Sequence, residues 1–250
     1  MIIAVTNQKG GVAKTTSTIA LSGLLAESSS CLVVDFDPQG NLTTGLGIKI
    51  QPGQKTAYEV LTDRKQSASE TIIDTEYGIK LIPADISLAS GEKQILTSAD
   101  NSRILRKKLN PLRQEFAHIL IDCPPSLGML TLNALMAADA VLIPVQCQFF
   151  ALEGLRQLLE TIESLRDEDT HPNLQILGVL PTMADRTLTT QDALKTLKTK
   201  LPGVKIFEPV PKSVQFPESN LARQPIHRYT TERKLIEPYQ EIAREMAEQE

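Results

Sequence analysis

Near-continuous apolar strands separated by helical segments predict an α/β chain: a single-domain, mostly parallel, twisted sheet with helices on both faces. Two further observations agree. A glycine-rich loop, "NQKGGVAKTT" (Asn7 to Thr16), follows the first strand, and aspartates stand at the ends of two later ones, at Asp37 and Asp122. In such sheets ligands bind outside the carboxyl ends of the strands, where these features fall.

The first strand is "IIAVT" (Ile2 to Thr6). "TTSTIALSGLLAE" (Thr15 to Glu27) follows, with Ile19, Ala20, Leu24 and Leu25 at helical spacing. "CLVVDFD" reads as the second strand, then a Gly/Asn/Thr-rich loop to about Gly47. "IKLIPA" is another strand with a helix after it, and "HILIDCPPS", "AVLIPVQC", "ILGVLPT" and "VKIF" complete the set. Helices are expected near 152–166, 187–200 and 230–248. No repeat, low-complexity tract or linker divides the chain, so residues 1–250 are read as one domain.

Composition excludes several classes. The 250 residues are 41% hydrophobic and 22% charged, as in ordinary globular proteins. No apolar run reaches the roughly 18 residues of a membrane span. "MIIAVTNQ" has neither the basic start nor the cleavage site of a signal peptide, so a cytoplasmic protein is expected. Cys31, Cys123 and Cys147 lie far apart in or beside apolar segments and read as buried free thiols. The net charge of −4 is unevenly spread. Residues 183–234 hold 10 Lys+Arg against 5 Asp+Glu, and the rest of the chain holds 16 against 25. A second basic stretch, "RILRKKLNPLR" (Arg103 to Arg113), stands within that acidic remainder. Separated charge fits a polyanion partner; it fits solvated helix faces as well.

The glycine loop departs from the standard phosphate-loop pattern, G-x-x-x-x-G-K-[ST], which needs glycines where this chain has Gln8 and Ala13. Its chemistry is nonetheless that of a phosphate cradle. Gly10 and Gly11 allow a sharp turn and close approach of the backbone. The N–H groups from about Gly11 to Thr15, through Val12 and Ala13, form an anion nest at a helix N-terminus. Lys14 supplies a point charge for the outer phosphates, and the Thr15 hydroxyl can ligate Mg²⁺. Thr15 and Thr16 open the helix. Asp122 would hold the metal through water, and Asp37 lies where it can orient an attacking water.

These segments carry a resemblance. "KGGVAKTT", "VVDFDPQGNLTTGLG", "ILIDCPPSLGMLTLNAL" and "PVQCQFFALEGL" resemble, in register and over almost the whole chain, the deviant Walker A ATPases of the ParA/MinD family, its ParA (Soj-like) branch in particular. The resemblance implies a P-loop NTPase fold, ATP and Mg²⁺ as ligands, and Lys9, Lys14 and Asp37 as catalytic residues. It implies that Lys9 reaches across an ATP-dependent homodimer to the partner's nucleotide. Ala13 replaces the commoner glycine; with a negative φ it would fit without loss.

The family divides by what the dimer holds. MinD-like members carry a basic amphipathic membrane helix. Here Leu235, Ile236, Tyr239, Ile242 and Met246 form an apolar stripe, but Glu232 to Glu250 carries six glutamates against Arg233, Lys234 and Arg244. That face would be repelled by anionic lipid, so the segment is expected to close the domain rather than bind a membrane. The nitrogenase iron protein needs paired cluster cysteines, which this chain lacks. The remaining reading is a nucleoid-associated ATPase whose dimer binds duplex DNA without sequence preference, through Arg186, Lys195, Lys198, Lys200, Lys212, Arg223 and Arg228. Gln215 stands where many members have an arginine. Pro209 and Pro211 resemble the segment flanking the adenine; a rigid surface loop explains them equally. No helix-turn-helix segment precedes the first strand, so the adaptor is expected to be a separate ParB-type or cargo protein. Two alternatives stay open: the same switch positioning a microcompartment or chemoreceptor cluster, and a metabolic ATP-dependent enzyme such as an amidoligase.

Overall fold

The computed structural model describes residues 1–97, 100–148, 151–167 and 170–248. A seven-stranded sheet runs through them. Its strands are β1 (Ile2–Val5), β2 (Cys31–Asp35), β3 (Ile73–Asp74), β4 (Lys80–Ile82), β5 (His118–Asp122), β6 (Ala140–Gln146) and β7 (Gln175–Thr182), in the order β3-β4-β2-β5-β1-β6-β7. All neighbours are parallel except β3 and β4. Parallel strands buried on both faces need no polar alternation, which is why "IIAV", "CLVVD" and "HILID" read as apolar runs, the last two closed by an aspartate.

Helices cover both faces. α1 (Lys14–Leu25), α2 (Asn41–Gly45), α10 (Ile226–Tyr229) and α11 (Arg233–Glu248) lie on one side, where Ile19, Leu21, Leu42, Ile226, Tyr239 and Ile242 pack with Val5, Val33 and Leu142. α3 (Ala57–Thr62), α4 (Ser87–Ile95), α5 (Ile104–Leu109), α6 (Met129–Ala137) and α7 (Ala151–Asp167) cover the other, packing Val60, Leu88, Leu105, Leu135 and Leu158 on Val34, Ile121 and Ile143. α8 (Leu188–Lys200) and α9 (Gln215–Leu221) follow β7. The stripe Leu235, Tyr239, Ile242 and Met246 is fully buried, with α11 lying along α1. No helix among the described residues is long and apolar enough to cross a membrane.

Register places the site. Val5 of β1 and Asp35 of β2 both pair with Asp122 of β5, so the three central strands end level. Whatever follows β1 and β2 must therefore meet Asp122 at one edge.

Two expectations change. "VKIF" is not a strand: the segment meets β7 at the isolated bridge Val179–Ile206, and a second isolated bridge, Ala184–Pro211, lies beyond both. Pro209 and Pro211 have no N–H to extend a ladder. The loop expected up to Gly47 contains α2, opened by Gly40 at φ 64°. A side chain there would meet the Ala84 carbonyl at 2.7 Å, so glycine is required. In "PVQCQFFALEGL", Phe149 and Phe150 lie outside the described residues.

α1 approaches the 225–227 segment closely at Gly23. A methyl there would stand 2.6 Å from Pro225 Cβ and 2.7 Å from His227 Cε1. Gly23→Ala gains up to about 1 kcal/mol of helix propensity. Overpacking of this kind costs about 1–3 kcal/mol. Thermal unfolding should therefore show a Tm lower by a few degrees; a Tm at or above the parent would mean that the proline yields.

Candidate functional site

The loop after β1 is tied down from four sides. Asn7 Nδ2 donates to the Pro144 carbonyl at 2.7 Å, and Asn7 Oδ1 accepts the Lys9 N–H at 3.0 Å. The Thr182 hydroxyl donates to the Val12 carbonyl at 3.1 Å. The Ser17 N–H closes the first helical turn on the Ala13 carbonyl at 2.9 Å. Gly11 turns at φ 72°. Ala13 also lies in the left-handed region, at φ 67°, which overturns the expectation of a negative φ there. For a residue with a Cβ this conformation costs roughly 1–2 kcal/mol. The glycine common at this position relieves that cost; here the four ties hold the turn instead.

Lys14 is buried, 7% exposed, and its ammonium donates to the Lys9 carbonyl at 3.2 Å. Burial lowers its pKa, opposed mainly by the charge of Asp122. The Thr15 hydroxyl donates to Asp122 Oδ2 at 2.6 Å, and Thr18 to Oδ1 at 3.4 Å. Asp122 is fully buried. Burial first, and then the charge of Asp35, push its pKa up to about 8.

Asp35 is the residue that sequence reasoning missed. It is fully buried, and burial raises its pKa to about 7 despite hydrogen bonds from the Thr43 N–H at 2.8 Å and hydroxyl at 2.6 Å. Thr43 in turn accepts the Ala84 N–H at 2.9 Å. The signal was present: in "VVDFD" the acids are two residues apart, on one side of an extended chain. Asp37, 7% exposed, accepts the Gln39 N–H at 2.9 Å.

Gly10, Gly11, Ala13, Lys14, Thr15, Thr16 and Asp37 line one cleft of about 670 Å³. Pro125, from the segment after β5, and Pro217, Asn220, Leu221 and Arg223 close it. Asn220 Nδ2 reaches the Thr16 hydroxyl at 3.3 Å. Pro209 and Pro211 line a different groove, between the C-terminal end of α1 and α11, so residues 217–223 stand at the loop in their place. Lys9 turns out of the cleft; its exposed ammonium donates to Gln148 Oε1 at 2.9 Å.

The donor set fits an anion with a small hard cation. The cradle presents N–H groups and one ammonium. Thr15 and the carboxylates behind it offer hard oxygens. Among the described residues no three acids, histidines or cysteines converge on a cage. That matches Mg²⁺, which takes one or two protein oxygens and completes its octahedron with phosphate oxygens and water.

The expected DNA contacts fall in separate places. Arg186 is exposed before α8, and Lys195, Lys198 and Lys200 are exposed on it. Lys212 is exposed, with Asp185 close enough to feel its charge. Arg223 lines the cleft, and Arg228 pairs with Glu27 at 2.7 Å. The Gln215 side chain bonds Glu232.

The family described as an AAA domain matches residues 1–176. The chain is 40% identical over 249 residues to the sporulation initiation inhibitor protein Soj of Bacillus subtilis, covering 98% of each. It is 39% identical over 254 residues to the chromosome partitioning protein ParA of Caulobacter vibrioides, covering 100% of this chain and 94% of that one. A solved structure described as cobyrinic acid a,c-diamide synthase from Mycobacterium smegmatis, with bound ATP analog and magnesium, is similar at 35% identity. It superposes with a TM-score of 0.83, covering 97% of this chain and 92% of that one.

Raised carboxylate pKa values carry a definite sign. With Asp122 and Asp35 protonated in the folded state up to about 8 and about 7, the folded chain binds more protons than the unfolded chain above the ordinary carboxylate range. Stability of the ligand-free protein should therefore fall as pH rises from about 5 to about 8. Asp122→Asn removes the larger share. Its Tm should exceed the parent's by several degrees at the upper pH and less at the lower. Equal Tm differences at both would mean that Asp122 is already ionised.

Proposed function

This chain belongs to the ParA/MinD family of ATPases, and on that premise we propose that it is the nucleotide-switched motor of a DNA partition system. It is a ParA-type positioning ATPase working on ATP and Mg²⁺. In the proposed cycle ATP drives a homodimer, the dimer holds duplex DNA in the cytoplasm without sequence preference, and a separate ParB-type adaptor stimulates hydrolysis and release.

Each step has a physical basis in named residues. The loop amides and the Lys14 ammonium hold the outer phosphates and offset their charge as it moves to the leaving group. Thr15, held by Asp122, offers the hydroxyl oxygen that would ligate the metal, and Asp122 would hold the metal through water. Mg²⁺ would supply positive charge against the negative charge of the phosphates. Asp37, at the cleft wall with its Oδ1 engaged by a backbone N–H, has a second carboxylate oxygen for the attacking water. The observation that carries the reading is the division of labour between two lysines of one loop. Lys14 is buried over the cradle, while Lys9 leaves the cleft and reaches the surface. A cation so placed serves a nucleotide in a second subunit better than its own.

The reading differs from the competing one, the synthase named for the structure similar at 35% identity. An amidoligase turns over ATP when a carboxylic acid and a nitrogen donor are supplied, and an adaptor does not change its rate. A protein cargo instead of DNA would leave the ATPase unchanged and differ in what co-purifies with the ATP-locked dimer.

Size-exclusion chromatography with ATP tests the division of labour. Lys14→Ala should abolish nucleotide binding. Lys9→Ala should keep binding and lose the dimer, and Asp37→Ala should bind, dimerise and stall. Equal loss of affinity in both lysine variants would place Lys9 in its own subunit's site.

DNA binding should require ATP and be indifferent to sequence. Its log affinity should fall linearly with log salt, by about 0.9 per phosphate contact. Lys198→Ala with Lys200→Ala should make that slope shallower and leave basal ATPase intact. Binding of equal strength with ADP would refute the switch.

A further inference from the structure

The basic stretch around Arg103 to Arg113 has no role in the cycle above, and it borders a cavity outside the phosphate cleft. Between α3, α4 and α5 lies a cavity of about 520 Å³. Its walls are Leu61, Ile95 and Ile104 below, with Arg64, Lys107 and Lys108 at the mouth. It lies on the opposite face of the sheet from α1, and shares no lining residue with the phosphate cleft.

The cations at this mouth are unevenly engaged. Lys108 is fully used: its ammonium donates to the carbonyls of Asp63 at 2.8 Å, Arg64 at 3.1 Å and Gln66 at 2.5 Å, fixing the end of α3 and the turn after it. It is therefore a pillar of the rim and not a free charge. Lys107 pairs with Asp100 at 2.7 Å, but both side chains are more than half exposed, at 63% and 57%. Such a pair contributes about 0–1 kcal/mol and exchanges readily for another carboxylate. Arg64, Arg103 and Arg106 make no ion pair among the described residues, and Arg64 and Arg103 are exposed. Among the described residues Asp100 is the one acid lining the cavity, held below the usual carboxylate range by Lys107 and then by Arg103.

We propose that this cavity is a docking site for an acidic amphipathic segment of a partner protein, with apolar side chains seated on Ile104 and carboxylates replacing Asp100 at Lys107 and meeting Arg64. Charge complementarity selects the occupant. The mouth carries Arg64, Lys107 and Lys108 against a single acid, Asp100, and Arg64 has no ion pair among the described residues, so the rim is complementary to a polyanion. The apolar side selects among polyanions. Leu61 and Ile95 are buried, so half-buried Ile104 is the apolar contact within reach. Duplex DNA presents phosphates and no apolar partner for it, whereas a helix with leucines on one face and glutamates on the other meets both Ile104 and the cations. The site is independent of the nucleotide switch, and the proposal stands whether or not that reading holds.

The test is fluorescence anisotropy on the full chain with a labelled synthetic helical peptide carrying leucines at i, i+3, i+4 and i+7 and glutamates between. Binding should weaken with salt. It should fall at least about tenfold in Arg64→Glu/Lys107→Glu, a double reversal at exposed positions outside the catalytic machinery. It should survive Lys198→Ala/Lys200→Ala unchanged. The same peptide with every leucine replaced by serine should bind much more weakly. Equal binding of the serine peptide would overturn the proposal, because the patch would then be a bare polyanion surface. Loss of duplex DNA binding in Arg64→Glu/Lys107→Glu, with no peptide binding to the parent, would overturn it in favour of nucleic acid. Absence of peptide binding, or undiminished binding to the double reversal, would refute it outright.

Discussion

The hydrogen bond from Thr15 to the buried Asp122 carboxylate is the constraint on which the site depends. It joins the first turn of α1 to the end of β5, and so sets the helix N-terminus over the sheet edge. Level strand ends make it possible, since Asp122 pairs in register with both Val5 and Asp35. A slip of one residue in β5 would turn the carboxylate to the other face of the sheet and leave Thr15 over an apolar side chain. The parallel core, built from long apolar runs, fixes that register far more firmly than the polar contact could alone.

Two acids at the base of the cleft lie behind one threonine and one lysine. Without ligand their environment favours protons over charge, because burial outweighs the hydrogen bonds from Thr43 and Thr15 and the charge of Lys14. The folded chain therefore tolerates a locally unfavourable group for the sake of its site, a common trade between stability and function. Asp37, at the cleft wall, is tied to this pair, since its N–H donates to Asp35 Oδ1 at 3.3 Å and its charge helps to raise the pKa of both buried acids.

Much of this was legible in the residues. Unbroken apolar runs announced the central strands, and the loop, Asp37 and Asp122 pointed to one place at their ends, where the structure brings them together. What stayed hidden had physical causes. Asp35 looked like part of a strand, and only pairing with β5 reveals that it faces Asp122. The role of residues 217–223 at the cleft depends on how α9 folds back over α1, a contact between segments about two hundred residues apart that no local pattern encodes. "VKIF" has strand composition, but prolines downstream deny it a ladder. The seven cations assigned to DNA looked like one group by proximity in sequence, whereas Arg223 and Arg228 are held by the cleft and by Glu27.

The left-handed turn at Ala13 has a further consequence. Alanine in the unfolded chain samples fewer conformations than glycine, and in the folded loop it resists the turn it is forced to make. The two effects oppose each other, since the first favours the folded chain and the second works against the turn. The loop therefore keeps its shape only while Pro144 of β6 and Thr182 of β7 hold it. Its geometry is borrowed from the neighbouring strands rather than owned by its own residues.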